Sequence, residues 1–401
     1  MEVNILNIPK LRFKEFTDEW QIKKLDKNTY IKARVGWKNL KASEYVSSGI
    51  PMIAGQHIKQ GKILWDKVDF ITNERYDESP EIQLKNNDII FSKDGSLGNP
   101  AIIKNMPKKA TINGTMMLIR LNYINDNVSP NYFYQICNSQ YFKKMVSLIK
   151  SGGTVPHIFQ RDIINFTFPI PKTLEEQEKI ANFLSIVDKK VENLKNTITS
   201  LENQKKGLLQ QIFSQKLRFK DKNGNNYPNW EKKKLEDIAI FLDNKRKPLE
   251  QSERIHGKYP YYGASGIIDY VNNYIFDEEL ILLSEDGANI IDRNYPICYI
   301  ATGKYWVNNH AHVLKTKSQY LNKFLCEALE RLNYNKYNTG TAQPKLNQDV
   351  CRKIILSIPC LEEQTKIADF LSAFDRKLEN KKAQLEHWQQ IKKGLLQQMF
   401  V

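Results

Sequence analysis

The chain has 401 residues, enough for two or three domains, and its 60 lysines and arginines against 45 acidic residues give a formal net charge of +15. This basic balance favours a polyanionic partner, and the aromatic residues interleaved with lysines indicate nucleic acid rather than a membrane surface. The alternative is a merely solvated basic surface. No apolar run reaches the roughly 20 residues of a membrane span and the start MEVNILNIPKLRFKEF lacks an apolar signal region, so we expect a cytoplasmic protein.

The five cysteines are scattered without CxxC spacing, which argues against both a disulfide framework and a zinc site. They are Cys137, Cys298, Cys326, Cys351 and Cys360. The sequence therefore predicts a reducing compartment and no bound metal.

The first part of the chain combines an opening segment with a strand-rich domain. Residues 1–25 contain LRFKEFTDEWQIKKL, and short β-rich runs such as IPMIAG, VDFI, DIIFS and TMMLIRL follow up to residue 170, separated by Gly, Asn, Asp and Pro. In SPNYFYQICNSQYFKKMVSLIK, residues 129–150, apolar residues recur at helical spacing. We expect one helix to close this domain.

The stretch LEEQEKIANFLSIVDKKVENLKNTITSLENQKKGLLQQIF from Leu174 to Phe213 predicts a helix of about 60 Å, at 1.5 Å per residue. Its apolar residues alternate in steps of four and three, which is the seam of a coiled coil and requires a partner helix. The seam residues are Ile180, Leu184, Val187, Val191, Leu194, Ile198 and Leu201.

The second half of the chain repeats this plan. LRFK returns at Leu217, short apolar strands follow, and YLNKFLCEALERLNYNKY, residues 320–337, predicts another closing helix. Anchor residues recur where the rest differs: Ser92, Asp94, Gly95, Gly153 and Thr154 in the first half match Ser284, Asp286, Gly287, Gly340 and Thr341 in the second.

The long helix also recurs, as LEEQTKIADFLSAFDRKLENKKAQLEHWQQIKKGLLQQMF from Leu361 to Phe400, and more than half of its positions are identical to the first copy. Lys381 alone replaces an apolar seam residue, and its aliphatic stem can lie along a neighbouring helix. The second seam consists of Ile367, Leu371, Phe374, Leu378, Leu385, Trp388 and Leu395.

These patterns predict an α+β fold in which two mixed strand-rich domains are separated by two long antiparallel coiled-coil helices, with pseudo-twofold symmetry. The expected bounds are 1–170 for the first domain, 171–216 for the first helix, 217–358 for the second domain and 359–401 for the second helix. Because Leu217 follows Phe213 closely in sequence, symmetry predicts Leu11 within roughly 15 Å of Phe400, about four extended residues.

Catalytic motifs are not evident. The sequence has neither a GxxxxGK[ST] loop nor a Gly-rich turn for an adenosyl cofactor. His310 and His312 are spaced to share one face of a strand and offer a metal site as an alternative to internally satisfied side chains. The SKDG and SEDG segments resemble nuclease carboxylates, although Asp-Gly after a strand first indicates a turn.

Basic and aromatic loop residues are the candidates for contact with DNA, since lysines meet phosphates and Asn or Arg also read base edges. In the first domain they are Lys59, Lys62, Lys93, Lys108 and Lys109. In the second they are Lys245, Arg246, Lys247, Tyr261, Tyr262, Arg293, Asn294, Lys304 and Lys345.

The duplicated helix, with LEEQ at its start and KKGLLQQ near its end, together with YYGASG, LLSEDGAN, WVNNHAHVL and GTAQPKLN, resembles the specificity subunit of type I restriction-modification systems. The resemblance covers essentially the whole chain. It implies two target-recognition domains that each read one half of a split double-stranded DNA site, and no catalysis by this chain. At GGTVPHIFQRDI the first domain departs from the second, so contacts implied for Lys345 or Asn347 do not transfer to His157 or Phe159.

The resemblance also implies partners and cofactors. Two modification subunits would carry adenosylmethionine and methylate adenine, and restriction subunits would use ATP and magnesium. The alternatives are a coiled-coil scaffold that binds nucleic acid without sequence preference and, third, a stand-alone methyltransferase or nuclease.

Overall fold

The computed structural model describes residues 8–25, 27, 29–33, 40–122, 127–151, 156–340 and 343–400. The anchor residues Gly153, Thr154 and Thr341 lie outside these ranges. The chain forms two compact units: unit 1 comprises Met1–Asn196 and Ala383–Val401, and unit 2 comprises Thr197–Lys382. Each unit contains one strand-rich domain and one half of both long helices, so the four-part division made from the sequence stays a prediction.

Unit 1 contains eleven strands among its described residues. They are β1 Gln21–Lys24, β2 Tyr30–Ala33, β3 Ile50–Ile53, β4 Ile58–Lys59, β5 Lys62–Ile63, β6 Asp69–Ile71, β7 Ile89–Ser92, β8 Gly98–Ile102, β9 Thr111–Ile112, β10 Met116–Arg120 and β11 Thr167–Ile170. The central sheet has the order β2-β10-β7-β8, and β6-β3-β9 forms a second sheet. Strands β1 and β11 pair separately, as do β4 and β5.

Alternation along the central strands gives the sheet two buried faces. Ile89 and Phe91 of β7 belong to one hydrophobic cluster, which includes the helical residue Phe133, whereas Ile90 belongs to another with Leu118. Because both faces are covered, the central strands read as continuous apolar runs rather than as alternating polar and apolar residues.

The helices of unit 1 before the long one are α1 Asn73–Asp77, α2 Pro130–Asn138, α3 Gln140–Ser151 and α4 Gln160–Ile164. The Ser129 hydroxyl caps α2 by accepting from the Tyr132 N–H at 3.2 Å. The expectation of one helix over 129–150 is wrong: the chain breaks at Ser139, whose hydroxyl donates to the Ile136 carbonyl at 2.7 Å. Such a local side-chain bond competes with the helical ladder.

Unit 2 repeats the central sheet as β13-β20-β17-β18 and adds a sheet of order β15-β14-β19-β16. Its strands are β12 Glu231–Lys234, β13 Ile240–Phe241, β14 His256–Gly263, β15 Gly266–Val271, β16 Phe276–Asp277, β17 Leu280–Ser284, β18 Cys298–Ala301, β19 Lys304–Val307, β20 Ala311–Lys315 and β21 Ile355–Ile358. Strand β12 pairs with β21 as β1 does with β11.

Helices α6 Leu235–Ile238, α7 Asn289–Asp292, α8 Gln319–Glu330 and α9 Gln348–Arg352 complete the domain of unit 2. The closing helix is shorter than residues 320–337, because α8 ends at Glu330 and a separate 3₁₀ turn follows at Tyr334–Tyr337.

The two long helices are confirmed as α5 Leu174–Phe213 and α10 Leu361–Met399. In unit 1 they run antiparallel: Asp188 pairs with Lys392 at 2.6 Å, and two residues further along α5 the Lys190 ammonium lies over the Trp388 ring. In unit 2 the equivalent ion pair joins Asp375, now on α10, to Lys205, now on α5, at 2.7 Å. Together with the two strand-rich domains, these helices confirm the α+β fold class.

The predicted seam residues lie along the inner sides of these helices. Those that are buried are Ile180, Leu184, Val187, Leu194, Ile198, Leu201, Ile367 and Leu371. Those that are half-buried are Val191, Phe374, Leu378, Leu385, Trp388 and Leu395.

The predicted proximity of Leu11 to Phe400 is confirmed within unit 1. The Leu11 N–H donates to the Gln398 carbonyl at 3.0 Å, and Phe400 packs in the same core as Tyr132 with ring centroids 5.7 Å apart. In unit 2 the Leu217 N–H makes the equivalent bond to Gln211, also at 3.0 Å. Of the helices described, none is long and apolar enough to cross a membrane.

Candidate nucleic-acid interface

A buried glutamate near the start of each long helix fastens the strand-rich domain to it. In unit 1 Arg12 donates to both Glu176 oxygens at 2.7 and 2.8 Å, and the Trp20 indole N–H donates at 3.0 Å. The hydrogen bond to Glu176 raises the pKa of Arg12 above its ordinary value. A bidentate ion pair of this kind fixes orientation as well as contributing energy.

Unit 2 builds the same clamp from Arg218, Trp230 and Glu363, with both arginine bonds at 2.7 Å and the indole bond at 3.0 Å. Both clamps therefore hold the domain on its long helix in the same way. We call the clamp together with the long helices α5 and α10 the frame. The loops at one edge of the central sheet belong to the domain that this frame holds.

In unit 1 that edge is formed by the loop after β7 and the segment before α4. The Ile158 N–H donates to the Lys93 carbonyl at 3.0 Å, which ties the two together. Lys93 pairs with Asp94 at 2.7 Å, and the other oxygen of Asp94 is hydrogen-bonded to His157 Nδ1.

A pocket of about 460 Å³ opens beside this edge. It is lined by Ile31, Lys32, Ala33, Glu81, Lys93, Met117, His157 and Gln160. The lining mixes aliphatic surface with both charges and amide groups, which suits a partner with flat apolar faces and polar edges.

In unit 2 the loop after β17 meets the segment before α9 in the same manner, with the Leu346 N–H donating to Glu285 O at 2.6 Å. His310 Nδ1 lies 2.9 Å from both oxygens of Asp286, the residue equivalent to Asp94. A histidine on a different loop thus reaches the equivalent aspartate.

An ion network fills the interior of this edge in unit 2. His312, fully buried, contacts Asp243 through Nδ1 and the Leu346 carbonyl through Nε2, both at 2.7 Å. Arg246 donates to Glu285 at 2.6 Å and lies 3.5 Å from Asp243. Burial raises the pKa of the Asp243 carboxyl, but His312, Val313 N–H and Arg246 outweigh it and keep that pKa below its ordinary value.

Asp243, Glu285 and His312 bring possible ligand atoms within 4.8 Å of one another. The Arg246 guanidinium already supplies positive charge between the two carboxylates, so the network is satisfied as an ion-pair cluster. The spacing of His310 and His312 that suggested a shared metal has another explanation, since each ring contacts a different aspartate.

The predicted lysines of unit 1 lie on the surface in different settings. Lys59 and Lys108 are exposed. Lys62 pairs with Glu192 of α5, Lys93 with Asp94, and the Lys109 ammonium lies 5.1 Å from the centre of the Tyr76 ring.

In unit 2 the predicted residues also differ in exposure. Lys245, Lys247 and Asn294 are exposed. Lys304 lies over the Tyr274 ring at 4.7 Å, and Lys345 is 3.6 Å from Glu285.

The structure corrects the prediction for Tyr261 and shows that three other predicted contact residues already have partners within the domain. Tyr261 is 1% exposed and its hydroxyl oxygen accepts from the Leu249 N–H, so it is a core residue. Arg246 is committed to the ion network, and Arg293 is held by Glu330 at 2.9 Å. Tyr262 is half-buried and stacks on Tyr299 with centroids 5.7 Å apart, which leaves little of its ring for a partner.

Sequence reasoning missed the two aspartate–histidine pairs, Gln160, which lines the pocket with His157, and Gln348, which donates to Asp243 at 2.6 Å. The repeated Asp-Gly after a strand was an available signal, but it does not reveal which histidine reaches each aspartate. His157 comes from the segment before α4, whereas His310 comes from the loop before β20.

Each unit thus carries a strand-rich domain on a recurring helical frame, and the loop edges of the two domains differ in chemistry. The chain matches the family model described as type I restriction modification DNA specificity domain over residues 18–203 and again over 227–387. The chain belongs to this family of DNA specificity proteins.

Individual relatives agree with this assignment. The chain is 39% identical over 141 residues to a putative type I restriction enzyme specificity subunit of Haemophilus influenzae, a match covering 35% of this chain and only 36% of that relative. It is 23% identical over 410 residues to a putative type I restriction enzyme MjaX specificity subunit of Methanocaldococcus jannaschii, covering 97% and 95%. The fold resembles the crystal structure of a type I restriction-modification S subunit from M. genitalium, with a TM-score of 0.65, 19% identity and coverage of 98% and 99%.

Proposed function

We propose that this chain is the sequence-specificity subunit of a type I restriction-modification complex and reads a bipartite, asymmetric DNA site, one half with each recognition domain. The observation that supports the proposal is that the clamp and the long helices recur in both units, whereas the loop edges differ in chemistry. A protein that bound any duplex equally would have no physical reason to combine a recurring frame with unlike edges.

Positioning on DNA is assigned to lysines on the surface of the two domains, because phosphate contacts hold a protein in register without reading sequence. The exposed candidates are Lys59, Lys62, Lys108, Lys245, Lys247, Lys304 and Lys345, and the half-buried ones are Lys93 and Lys109. Asn294 is also exposed and can read a base edge. Tyr261, which is buried, and Arg246, which belongs to the ion network, are assigned to the stability of the domain. Arg293 stays a candidate, because its side chain is 30% exposed beside Glu330.

Docking of two modification subunits is proposed for the exposed faces of the two long helices. The exposed residues Lys206 and Gln210 are identical to Lys393 and Gln397 at the matched positions. Residues that face solvent have no packing reason to stay identical between the copies. Two equal surfaces would bind two copies of one partner.

A helix-interior glycine lies in each of these faces. A Cβ at Gly207 would meet no heavy atom of the described residues within 4 Å, and one at Gly394 would meet only the Gln398 amide at 3.9 Å. Glycine inside a helix costs about 1 kcal/mol relative to alanine. A partner that approaches the backbone closely at this point explains why both copies retain it.

The docking proposal is tested with Gly207→Trp and Gly394→Trp in the full chain. Each variant should lose binding to one modification subunit in a co-purification measured by native mass spectrometry, without a lower melting temperature. Thr199→Trp and Glu386→Trp, at exposed matched positions whose residues differ, are the controls. Unchanged stoichiometry in both glycine variants would remove these faces from the interface.

Catalysis is proposed to belong to the partners: adenosylmethionine on the modification subunits, and ATP and magnesium on the restriction subunits. The decisive experiment maps methylated adenines in DNA from cells that express the chain with its modification partner. One split motif with two unlike halves is expected. Methylation without any motif would favour a scaffold lacking sequence preference.

A further inference from the structure

In each unit an aspartate at the equivalent position orients a half-exposed histidine, although the two histidines come from different loops. Asp94 holds His157 in unit 1, and Asp286 holds His310 in unit 2. The side chains remain 29% and 49% exposed, so each ring is fixed on one side and open on the other.

The aspartates themselves lie on loops that are hydrogen-bonded to the loop just before the neighbouring strand. The Lys93 N–H donates to the Thr115 carbonyl at 2.9 Å, and the Glu285 N–H donates to the His310 carbonyl at the same distance. Glycines with positive φ follow both aspartates, 67° at Gly95 and 103° at Gly287, and turn the chain away. The carboxylate is therefore presented from a rigid position.

This contact determines which ring nitrogen faces outward. An ionised carboxylate only accepts hydrogen bonds, so Nδ1 carries the proton that lies between ring and carboxylate. In the neutral ring Nε2 is then an acceptor in a fixed direction. On the major-groove edge of DNA, the complementary donors are the amino groups of adenine N6 and cytosine N4.

The surroundings of both rings suit a base edge better than a phosphate. His157 lines the 460 Å³ pocket with Gln160, and the exposed Phe159 ring lies 4.4 Å from the imidazole centre. His310 adjoins the exposed Asn309 and, through Asp286, the segment of Lys345. An aspartate behind each imidazole lowers its attraction for phosphate, whereas amide and aromatic groups read bases.

We propose that His157 and His310 are specificity-determining residues, each accepting a hydrogen bond from the amino group of one adenine or cytosine in its own half-site. The inference rests on the proposed function and names two of the side chains that perform it. Asp94 and Asp286 are positioning residues that fix the tautomer and the direction of the ring.

The test uses His157→Ala and His310→Ala in the full chain, expressed with its modification partner, with methylated motifs mapped across the genome. Each variant should lose discrimination about tenfold at one base pair, in one half-site only. The other half-site then shows that the chain is folded. His256→Ala, an exposed histidine at the start of β14, should leave the motif unchanged.

Asp286→Ala should relax the same base position as His310→Ala, and Asp286→Glu should restore part of the discrimination. A purely structural role would instead weaken both half-sites together. If a histidine variant gives no methylation, competition binding of the complex to duplexes with single base changes provides the same readout.

An unchanged motif in both histidine variants would overturn the inference while leaving the proposed function intact. Undiminished binding of the unaltered complex to a duplex in which that adenine or cytosine lacks its exocyclic amino group would equally contradict it. The absence of a split motif in the unaltered chain would instead refute the proposed function.

Discussion

The two units share a frame but differ in chemistry at the same place in the central sheet. Met117 pairs with Phe91 in unit 1, and His312 occupies the matched position opposite Leu283 in unit 2. Around Met117 the edge leaves an open pocket, whereas around His312 an ion network fills the space. The clamp, the strand pairs β1–β11 and β12–β21 and the matched ion pair between the long helices recur in both units, whereas the edge assigned to recognition differs.

The largest effect is expected where the units are alike. Glu363→Ala leaves Arg218 and Trp230 without their buried acceptor and should destabilise the protein by about 4 kcal/mol, and Glu176→Ala should do the same in unit 1. Denaturant unfolding of the full chain measures both, with the glutamine variants as milder controls. A large loss in one unit and none in the other would show that the clamps are not equivalent.

A second pair of substitutions should destabilise the two units to different extents. Arg246→Ala removes the guanidinium from two half-buried carboxylates and should cost about 2 kcal/mol, discounted for partial exposure. Lys93→Ala, at the matched edge of unit 1, breaks a pair between adjacent residues and should cost less than about 0.5 kcal/mol. Equal losses in thermal unfolding would contradict the distinction between a filled edge and an open one.

The frame could be predicted from sequence, and most of the edge could not. Repeat identity and apolar spacing are local signals, so α5, α10 and the proximity of Leu11 to Phe400 followed from them. The break at Ser139 depends on one side-chain bond, and the burial of Tyr261 depends on the strands around it. The histidine partners of Asp94 and Asp286 could be identified only from the fold, because each histidine lies on a loop far from its aspartate in sequence.

The free energy of unfolding should depend on pH through Asp375 in unit 2. Burial raises the pKa of Asp375, but hydrogen bonds from Lys205 and Lys323 outweigh burial and leave that pKa below its ordinary value. Its contribution is therefore present above the unfolded value of about 3.9 and is lost as pH falls through the lower folded value. Asp375→Asn should flatten this part of a stability profile measured from pH 6 to pH 2. A profile identical to that of the unaltered chain would exclude Asp375 as a source of the stability lost at low pH.

The smallest effect concerns the matched ion pairs between the long helices. Lys392→Ala breaks one half-exposed pair with Asp188 and should cost about 0.5 kcal/mol. Lys205→Ala should cost about 1 kcal/mol, because Lys205 also lies 3.0 Å from Glu327. Chemical denaturation at low and high salt measures both, and a greater loss for Lys392→Ala would reverse the expected order.

The central claim is that two unlike edges on one repeated frame read two unlike half-sites. Both domains enter and leave through equivalent strand pairs, Lys24 opposite Thr167 and Lys234 opposite Ile355. A full-length chimaera in which residues 25–167 replace residues 235–355 would therefore carry the first edge twice. Genome-wide mapping of adenine methylation should give a split motif made of one half-site and its inverted repeat. Retention of the original asymmetric motif, or a motif outside the first half-site, would contradict the account.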